Sequence, residues 1–321
     1  MIDSIEPPIL KLDSLSVHFP IETGFLRRKK GMIRAVNGVS LDIWPGETLG
    51  LVGESGCGKS TLGRTVVKLQ IPNRGDVFIN GQNLGEKSRT AREVQLIFQD
   101  PFSSLNPRMT IGEAISEVLR QHRVVPVDQI TQRLVTLMQM VELSPDQIDR
   151  YPHEFSGGQR QRIGIARALA VEPKLIICDE IVSALDVSVQ AQILNLLMHL
   201  QQDKGFAYLF ISHDLSVVRQ IAHRIAVMYA GKIVEMGATE QVMSEPLHPY
   251  TQSIMASARG KVTTFGEVAN PAKLPSGCYF HPRCPLAADT DGTLNNRCFI
   301  TFPEFKEVEK GHLAACHILR A

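Results

Sequence analysis

Residues 53–61 read Gly53-Glu54-Ser55-Gly56-Cys57-Gly58-Lys59-Ser60-Thr61, a complete G-x-x-x-x-G-K-[ST] spacing. Glycines at these places let backbone N–H groups turn inward around a phosphate, and a helix beginning near Lys59 would point its positive end at the same anion. The chemistry on offer is the binding of a nucleotide's phosphates. Lys59 is placed to reach the β- and γ-phosphates and Ser60 to put its hydroxyl on Mg2+. Ser55, Gly56, Cys57, Gly58 and Thr61 complete the cradle, with Cys57 as a small filler rather than a chemical group. The strand-like run Glu47-Thr48-Leu49-Gly50-Leu51-Val52 before the motif is the context that separates such a cradle from a Gly-rich turn without a ligand.

Three further places suit phosphoryl transfer. Leu175-Ile176-Ile177-Cys178 followed by Asp179-Glu180 reads as a buried parallel strand delivering two acids at its C-terminal end. Asp179 fits a Mg2+ ligand acting through water, and Glu180 fits the base for an attacking water, since this reaction asks mainly for positioning and charge neutralisation. A second strand-like run, Ala207-Tyr208-Leu209-Phe210-Ile211-Ser212, ends at His213, placed to hold the γ-phosphate and the water in register. A third, Val94-Gln95-Leu96-Ile97-Phe98, ends at Gln99, whose neutral amide can touch Mg2+ or water.

These residues need elements to carry them. At 321 residues with near-neutral charge, the chain suits one large α/β domain plus extras, and nothing in it demands nucleic acid. Residues 9–19 and 33–43 alternate as an antiparallel hairpin whose tip, Gly24-Phe25-Leu26-Arg27-Arg28-Lys29-Lys30-Gly31, is either a solvated basic loop or a contact for anionic lipid heads. From 110 to 155 the period becomes helical, with Ile111, Ala114, Ile115, Val118 and Leu119 on one face and Leu134, Leu137, Met138 and Val141 on another. A long amphipathic helix is predicted over 187–203, and strands over 224–228 and 232–236. The first residues lack the basic and apolar regions of a signal peptide, and no apolar run approaches the ~18 residues of a membrane span, so a cytoplasmic location is expected.

With Phe155-Ser156-Gly157-Gly158-Gln159-Arg160-Gln161-Arg162 the set becomes specific, and residues 9–245 resemble the ATP-binding subunit of an ATP-binding-cassette (ABC) transporter. The motifs correspond in order to Walker A, Q-loop, signature, Walker B, D-loop (Ser183-Ala184-Leu185-Asp186) and switch histidine. The resemblance implies a P-loop NTPase core of α/β class, an ABC-type RecA-like sheet with an antiparallel β subdomain, and a helical signature subdomain at about 110–160. It further implies that two such subunits pack head to tail, each ATP lying between one subunit's Walker A and Ser156, Gly157, Gly158 and Gln159 of the other. A hydroxyl and unobstructed N–H groups at a helix start make that stretch a second anion cradle. Asp186 belongs to the D-loop, while Arg160 and Arg162 support the helix or the partner. Phe19 resembles the aromatic that stacks on adenine, a core or hairpin Phe being the alternative.

Residues 246–321 form a tail holding Cys278, Cys284, Cys298 and Cys316, four of the six cysteines. In a reducing compartment such clustering favours metal ligation over disulfides, although the spacings contain no C-x-x-C pair of the kind zinc sites use. Leu247-His248-Pro249-Tyr250 and the loop 98–107 resemble the oligopeptide and dipeptide importers. That resemblance implies a four-iron, four-sulfur (4Fe–4S) cluster on the quartet, with zinc or free thiols as alternatives, in a small loop-rich C-terminal cysteine domain. It also implies a second, homologous ATPase (D type, this chain being closer to the F type), two transmembrane permease subunits and an extracytoplasmic solute-binding protein. The expected location is the cytoplasmic face of the plasma membrane. The cargo is a peptide or, as in related systems, nickel, glutathione or another solute. A soluble ATPase of translation or repair is the third reading, disfavoured by the single nucleotide motif set and the absence of an internal repeat. One departure from the family stands out: Ile181 follows Glu180 where Pro is usual, and Ile lacks the fixed φ of Pro, so a looser turn is expected there.

Overall fold

The computed structural model describes residues 7–23, 28–85, 92–100, 105–258, 269–287 and 292–319. Residues 24–27 of the expected basic tip and 101–104 of the loop after Gln99 lie outside them. The strands are Leu10–Thr23 (β1), Arg28–Ile43 (β2), Thr48–Val52 (β3), Arg74–Ile79 (β4), Gln82–Asn83 (β5), Val94–Ile97 (β6), Leu175–Asp179 (β7), Ala207–Ser212 (β8), Arg224–Tyr229 (β9), Lys232–Ala238 (β10), Lys306–Glu309 (β11) and His312–Ala314 (β12). The helices are Lys59–Val66 (α1), Ile111–Gln121 (α2), Ile130–Met140 (α3), Gly157–Leu169 (α4), Val187–Lys204 (α5), Leu215–Ile221 (α6), Thr239–Ser244 (α7), Pro249–Ala258 (α8) and Gly292–Ile300 (α9). The chain is thus a mixed α/β protein of two compact units, each drawn from separate stretches.

The first unit takes Met1–Leu10, Ile43–Glu47 and Ile79–Phe210. Here β6 pairs in parallel with β7, from Val94↔Leu175 to Ile97↔Cys178, and β8 lies beside β7. All five residues of β7 are buried, which is why its sequence is an unbroken apolar run up to Asp179. Helices α2, α3 and α4 pack on one another. A capping box starts α2: the Thr110 hydroxyl accepts from Glu113 N–H while the Glu113 carboxylate accepts from Thr110 N–H. Ile193, Leu194, Leu196, Leu197 and Leu200 form the buried stripe of α5, which ends at Gly205 with φ +71°.

The second unit takes Lys11–Asp42, Thr48–Phe78 and Ile211–Ala321. In it β3 runs parallel to β9, from Leu49↔Arg224 to Val52↔Val227, and β10 returns antiparallel to β9. In the separate antiparallel layer β1 lies between β2 and β4, and both long strands run past the predicted bounds. No strand is legible in the sequence of the tail, yet two form: β12 pairs antiparallel with β10, through Glu235↔Ala314 and Met236↔Leu313, and β11 with β12.

The tail is locked to β10 by a buried carboxylate. Glu235 is fully buried, and its Oε1 and Oε2 accept from Leu247 N–H (2.9 Å) and His248 N–H (2.8 Å). His312 Nε2 of β12 lies 2.8 Å from Oε1. A side chain at Gly237 would press on the His312 ring, so glycine leaves that space open. His248, also buried, accepts Tyr250 N–H on Nδ1 at 3.0 Å, which fixes the entry to α8.

Burial depresses the His248 imidazole to about 3. The unfolded chain therefore binds a proton that the folded chain refuses, so the stability this ring contributes is fully present above its ordinary value of about 6.5 and is lost as pH falls from there toward 3. Thermal melts between pH 7 and 5 should show the melting temperature falling less steeply in His248→Gln than in the native chain; parallel curves would contradict the assignment.

Candidate functional site

In the second unit β3 delivers the chain into the phosphate loop, and α1 begins at Lys59, where the glycine spacing places it. Gly56 and Gly58 adopt φ +78° and +113°, and a side chain on Gly58 would strike the carbonyl of Ala35 in β2 and Met228 in β9. No side chain caps α1, so its first-turn N–H groups face the loop uncovered by a cap. Lys59 is buried and curls back over the loop, its Nζ donating to Gly53 O (2.7 Å) and Glu54 O (3.1 Å). Cys57 is buried, and burial raises its thiol, in keeping with a filler; its carbonyl accepts from Gly231 N–H at 2.9 Å. Ser55 and Gly56 are exposed, and Ser60 and Thr61 half-buried. Phe19, in β1 of this unit, is half-buried.

Glu54 is held on every polar face. Its N–H donates to the Tyr250 hydroxyl at 2.8 Å, its carbonyl accepts from Lys59, and its carboxylate receives both ends of the Arg283 guanidinium at 2.8 and 2.9 Å. His213 follows β8 and is exposed; Asp214 beside it caps α6 by accepting from Ser216 N–H at 2.8 Å. Glu54, His213, Asp214, Tyr250 and Ser253 line one cavity of about 500 Å³.

The first unit brings other candidates together. Gln99 Nε2 donates to Glu180 Oε2 at 3.2 Å and lies 3.4 Å from Ser183 Oγ. Asp179 is buried at the end of β7. Glu180 sits at φ +50°, a left-handed conformation that a side-chain-bearing residue keeps only when its surroundings enforce it. They do so here without the family proline: Ile181 and Val182 are buried, and Ser183 donates to Glu180 O from both N–H (3.2 Å) and Oγ (2.9 Å). Apolar anchoring and the Ser183 bonds close the turn that a looser conformation was expected to open.

Ser156 caps α4, its Oγ accepting from Gln159 N–H at 3.3 Å while its N–H donates to Gln159 Oε1 at 3.0 Å. Gly157 is exposed, and a side chain on Gly158 would collide with Val189 of α5, which keeps that position bare. The arginines that follow serve the scaffold: Arg160 Nε donates to Pro152 O at 2.8 Å, and Arg162 reaches Val141 O at 2.9 Å and Glu142 at 2.7 Å. Asp186 is exposed at the start of α5 and makes no side-chain capping bond. Gln99, Ser156 and its neighbours, Asp179, Glu180 and Asp186 thus belong to one unit, and Phe19, the phosphate loop and His213 to the other.

None of the six cysteines is paired in a disulfide. Cys278 N–H donates to Cys298 O at 2.8 Å, and the Cys278 thiol is pushed up to about 12, by burial first and then by Cys298, Cys316 and Cys284. Burial also raises the other three. Four thiols within electrostatic reach of one another suit iron or zinc as a donor set. Yet no group of three or more His, Cys, Asp or Glu side chains is arranged to hold a metal ion among the described residues, so the geometry does not close around an ion.

Sequence reasoning missed Arg283, Tyr250 and Glu235. Arg283 reads as a neighbour of cysteines and Glu235 as an ordinary polar strand position; only the Leu-His-Pro-Tyr string hinted that the start of the tail matters.

The profile of the ABC transporter family matches residues 36–183, and that of the oligopeptide/dipeptide transporter C-terminal region matches 234–290. The chain is 47% identical to the oligopeptide transport ATP-binding protein AppF of Bacillus subtilis (strain 168), across 97% of each. It is 52% identical to the glutathione import ATP-binding protein GsiA of Escherichia coli (strain K12), across 78% of this chain and 41% of that one. Among solved structures it resembles the dimeric ATP-binding cassette MJ0796 bound to ADP and Pi, with a TM-score of 0.63 and 27% identity over 72% of this chain and 98% of that one.

Proposed function

Because the chain belongs to the ATP-binding proteins of ABC transporters of the oligopeptide/dipeptide type, an ATPase family coupled to transport, we propose that it binds and hydrolyses ATP to drive the uptake of oligopeptides or dipeptides. The observation that carries this reading is the near full-length identity to AppF, named for oligopeptide transport. Glutathione uptake is the second reading, favoured by the identity to GsiA, of which this chain spans less than half.

The residue roles follow the chemistry of each position. Lys59 and the N–H groups of 55–61 hold the phosphates, Phe19 stacks on the base, and Ser60, Gln99 and Asp179 are assigned to Mg2+, which when bound neutralises phosphate charge. Glu180 takes the proton of the attacking water, and His213 holds that water in register. Ser156, Gly157, Gly158 and Gln159 serve the ATP on a second subunit's phosphate loop, with Asp186 at the contact. The dimer described for MJ0796 supports that arrangement. Residues 1–245 make the ATPase domain, with the helical subdomain at about 110–160, and 246–321 the importer-type tail. No helix among the described residues is long and apolar enough to cross a membrane. We assign the membrane path to two permease subunits, on which this chain docks from the cytoplasmic side, fed by an external binding protein, and the second ATPase to a D-type homologue.

Glu180→Gln should lower ATP turnover by about a hundredfold or more while leaving nucleotide binding intact, measured as phosphate release by the assembled transporter; unchanged turnover would remove Glu180 from the base position. Ser156→Arg should abolish hydrolysis at the site this signature completes and leave the affinity of this chain's own loop within about twofold, since the two cradles serve different nucleotides. Equal loss of both would refute the division. For the tail thiols, a 4Fe–4S cluster rests on the family resemblance and the donor set alone, since the described side chains are not arranged around an ion. It requires that anaerobically purified protein be brown and carry iron with acid-labile sulfide; colourless protein with stoichiometric zinc would replace it, and metal-free protein would leave four free thiols.

A further inference from the structure

We infer that Arg283, acting with Tyr250, is a positioning residue for the phosphate loop, so that the C-terminal segment sets how well this chain holds nucleotide. The inference deepens the proposed function and rests on reading residues 53–61 as the nucleotide site.

Arg283 lies 229 positions from Glu54 in sequence, yet the two side chains meet in a bidentate pair, the arginine side chain only 6% exposed and the glutamate 26%. The fork geometry fixes the direction of the carboxylate as well as its distance, which a single ammonium cannot do. The guanidinium is itself confined, its centre 6.0 Å from the Tyr229 ring and 5.8 Å from that of Phe280. Those rings pack with Tyr250, centroids 4.6 Å apart for Tyr229 and 5.4 Å for Phe280. Tyr250 then takes Glu54 N–H. One aromatic cluster thus aims both groups that grip Glu54, one at its backbone and one at its side chain.

The grip is passed on to the phosphate-binding group. The Glu54 carbonyl accepts from Lys59 Nζ at 3.1 Å and from Cys57 N–H at 3.3 Å, so a shift of Glu54 moves the partners that set the lysine and the turn before α1. Removing Arg283 would strand a part-buried carboxylate inside the loop, and a buried charge without its partner is expelled or drags its backbone with it. The coupling is reciprocal by thermodynamic necessity: if the tail steadies the loop for nucleotide, nucleotide steadies the tail.

The test uses the full chain, Mg-ADP as the probe, and the assembled transporter for kinetics. Arg283→Ala should raise the Kd for Mg-ADP about tenfold and raise KM for ATP with kcat changed less than about twofold, while Arg283→Lys, keeping the charge but not the fork, should fall between. In the native chain, Mg-ADP should slow amide exchange over residues 278–287 several-fold, and this protection should vanish in Arg283→Ala. If that variant does not fold, the native protection decides alone. A folded Arg283→Ala with unchanged Kd and KM, or a native tail whose exchange ignores Mg-ADP, would overturn the inference. Lys59→Ala separates the two levels: it should lose Mg-ADP affinity. If it does while Arg283→Ala does not, the latch fails and the site reading stands; if Lys59→Ala binds as well as the native chain, the site reading itself fails.

Discussion

A carboxylate sealed from water is tolerable only when donors surround it, and Glu235 in the middle of β10 is such a group. Its three partners come from two places far apart in sequence: the backbone at Leu247 and His248, where the chain leaves the sheet, and the ring of His312, where it returns as β12. Satisfying one side chain therefore dictates where the tail begins and ends. In the same unit the rings of Tyr229, Tyr250 and Phe280 pack on one another.

The consequence for function lies at the phosphate loop. Such loops are made of glycines because backbone must crowd an anion, and the clash that a side chain on Gly58 would make with the Ala35 carbonyl shows how little room remains. Glycines supply the conformation but no rigidity; side chains from outside the loop must supply that. Here they come from the tail, through Tyr250 and Arg283 on Glu54, and from the loop's own Lys59. In the other unit the same division recurs in miniature, the left-handed Glu180 being held by buried Ile181 and Val182 and by Ser183.

Local chemistry was legible in the sequence and long-range pairing was not. The start of α1 at Lys59, the whole of β8, and α5 within a residue of its predicted end follow from glycine spacing, an apolar run and a 3.6 period, all of which act over a few residues. Glu54 with Arg283 and Glu235 with His312 leave no such trace, because a single polar pair has no period. Strands β11 and β12 leave no trace for a related reason: they are four and three residues long, β11 is mostly charged, and they gain their pairing from neighbours, β12 from the edge of β10 and β11 from β12, rather than from their own pattern. At Ile181 the sequence suggested a loss where the structure supplies a substitute, since burial can fix a turn that proline fixes by its ring.

Native-state hydrogen exchange of the nucleotide-free chain in low denaturant tests most directly whether the tail and the phosphate loop are one cooperative structure. Amides of residues 53–61 and 278–287 should exchange through a common opening, with the same free energy and the same denaturant dependence. A tail that opens at lower free energy, while the loop keeps its protection, would contradict the account.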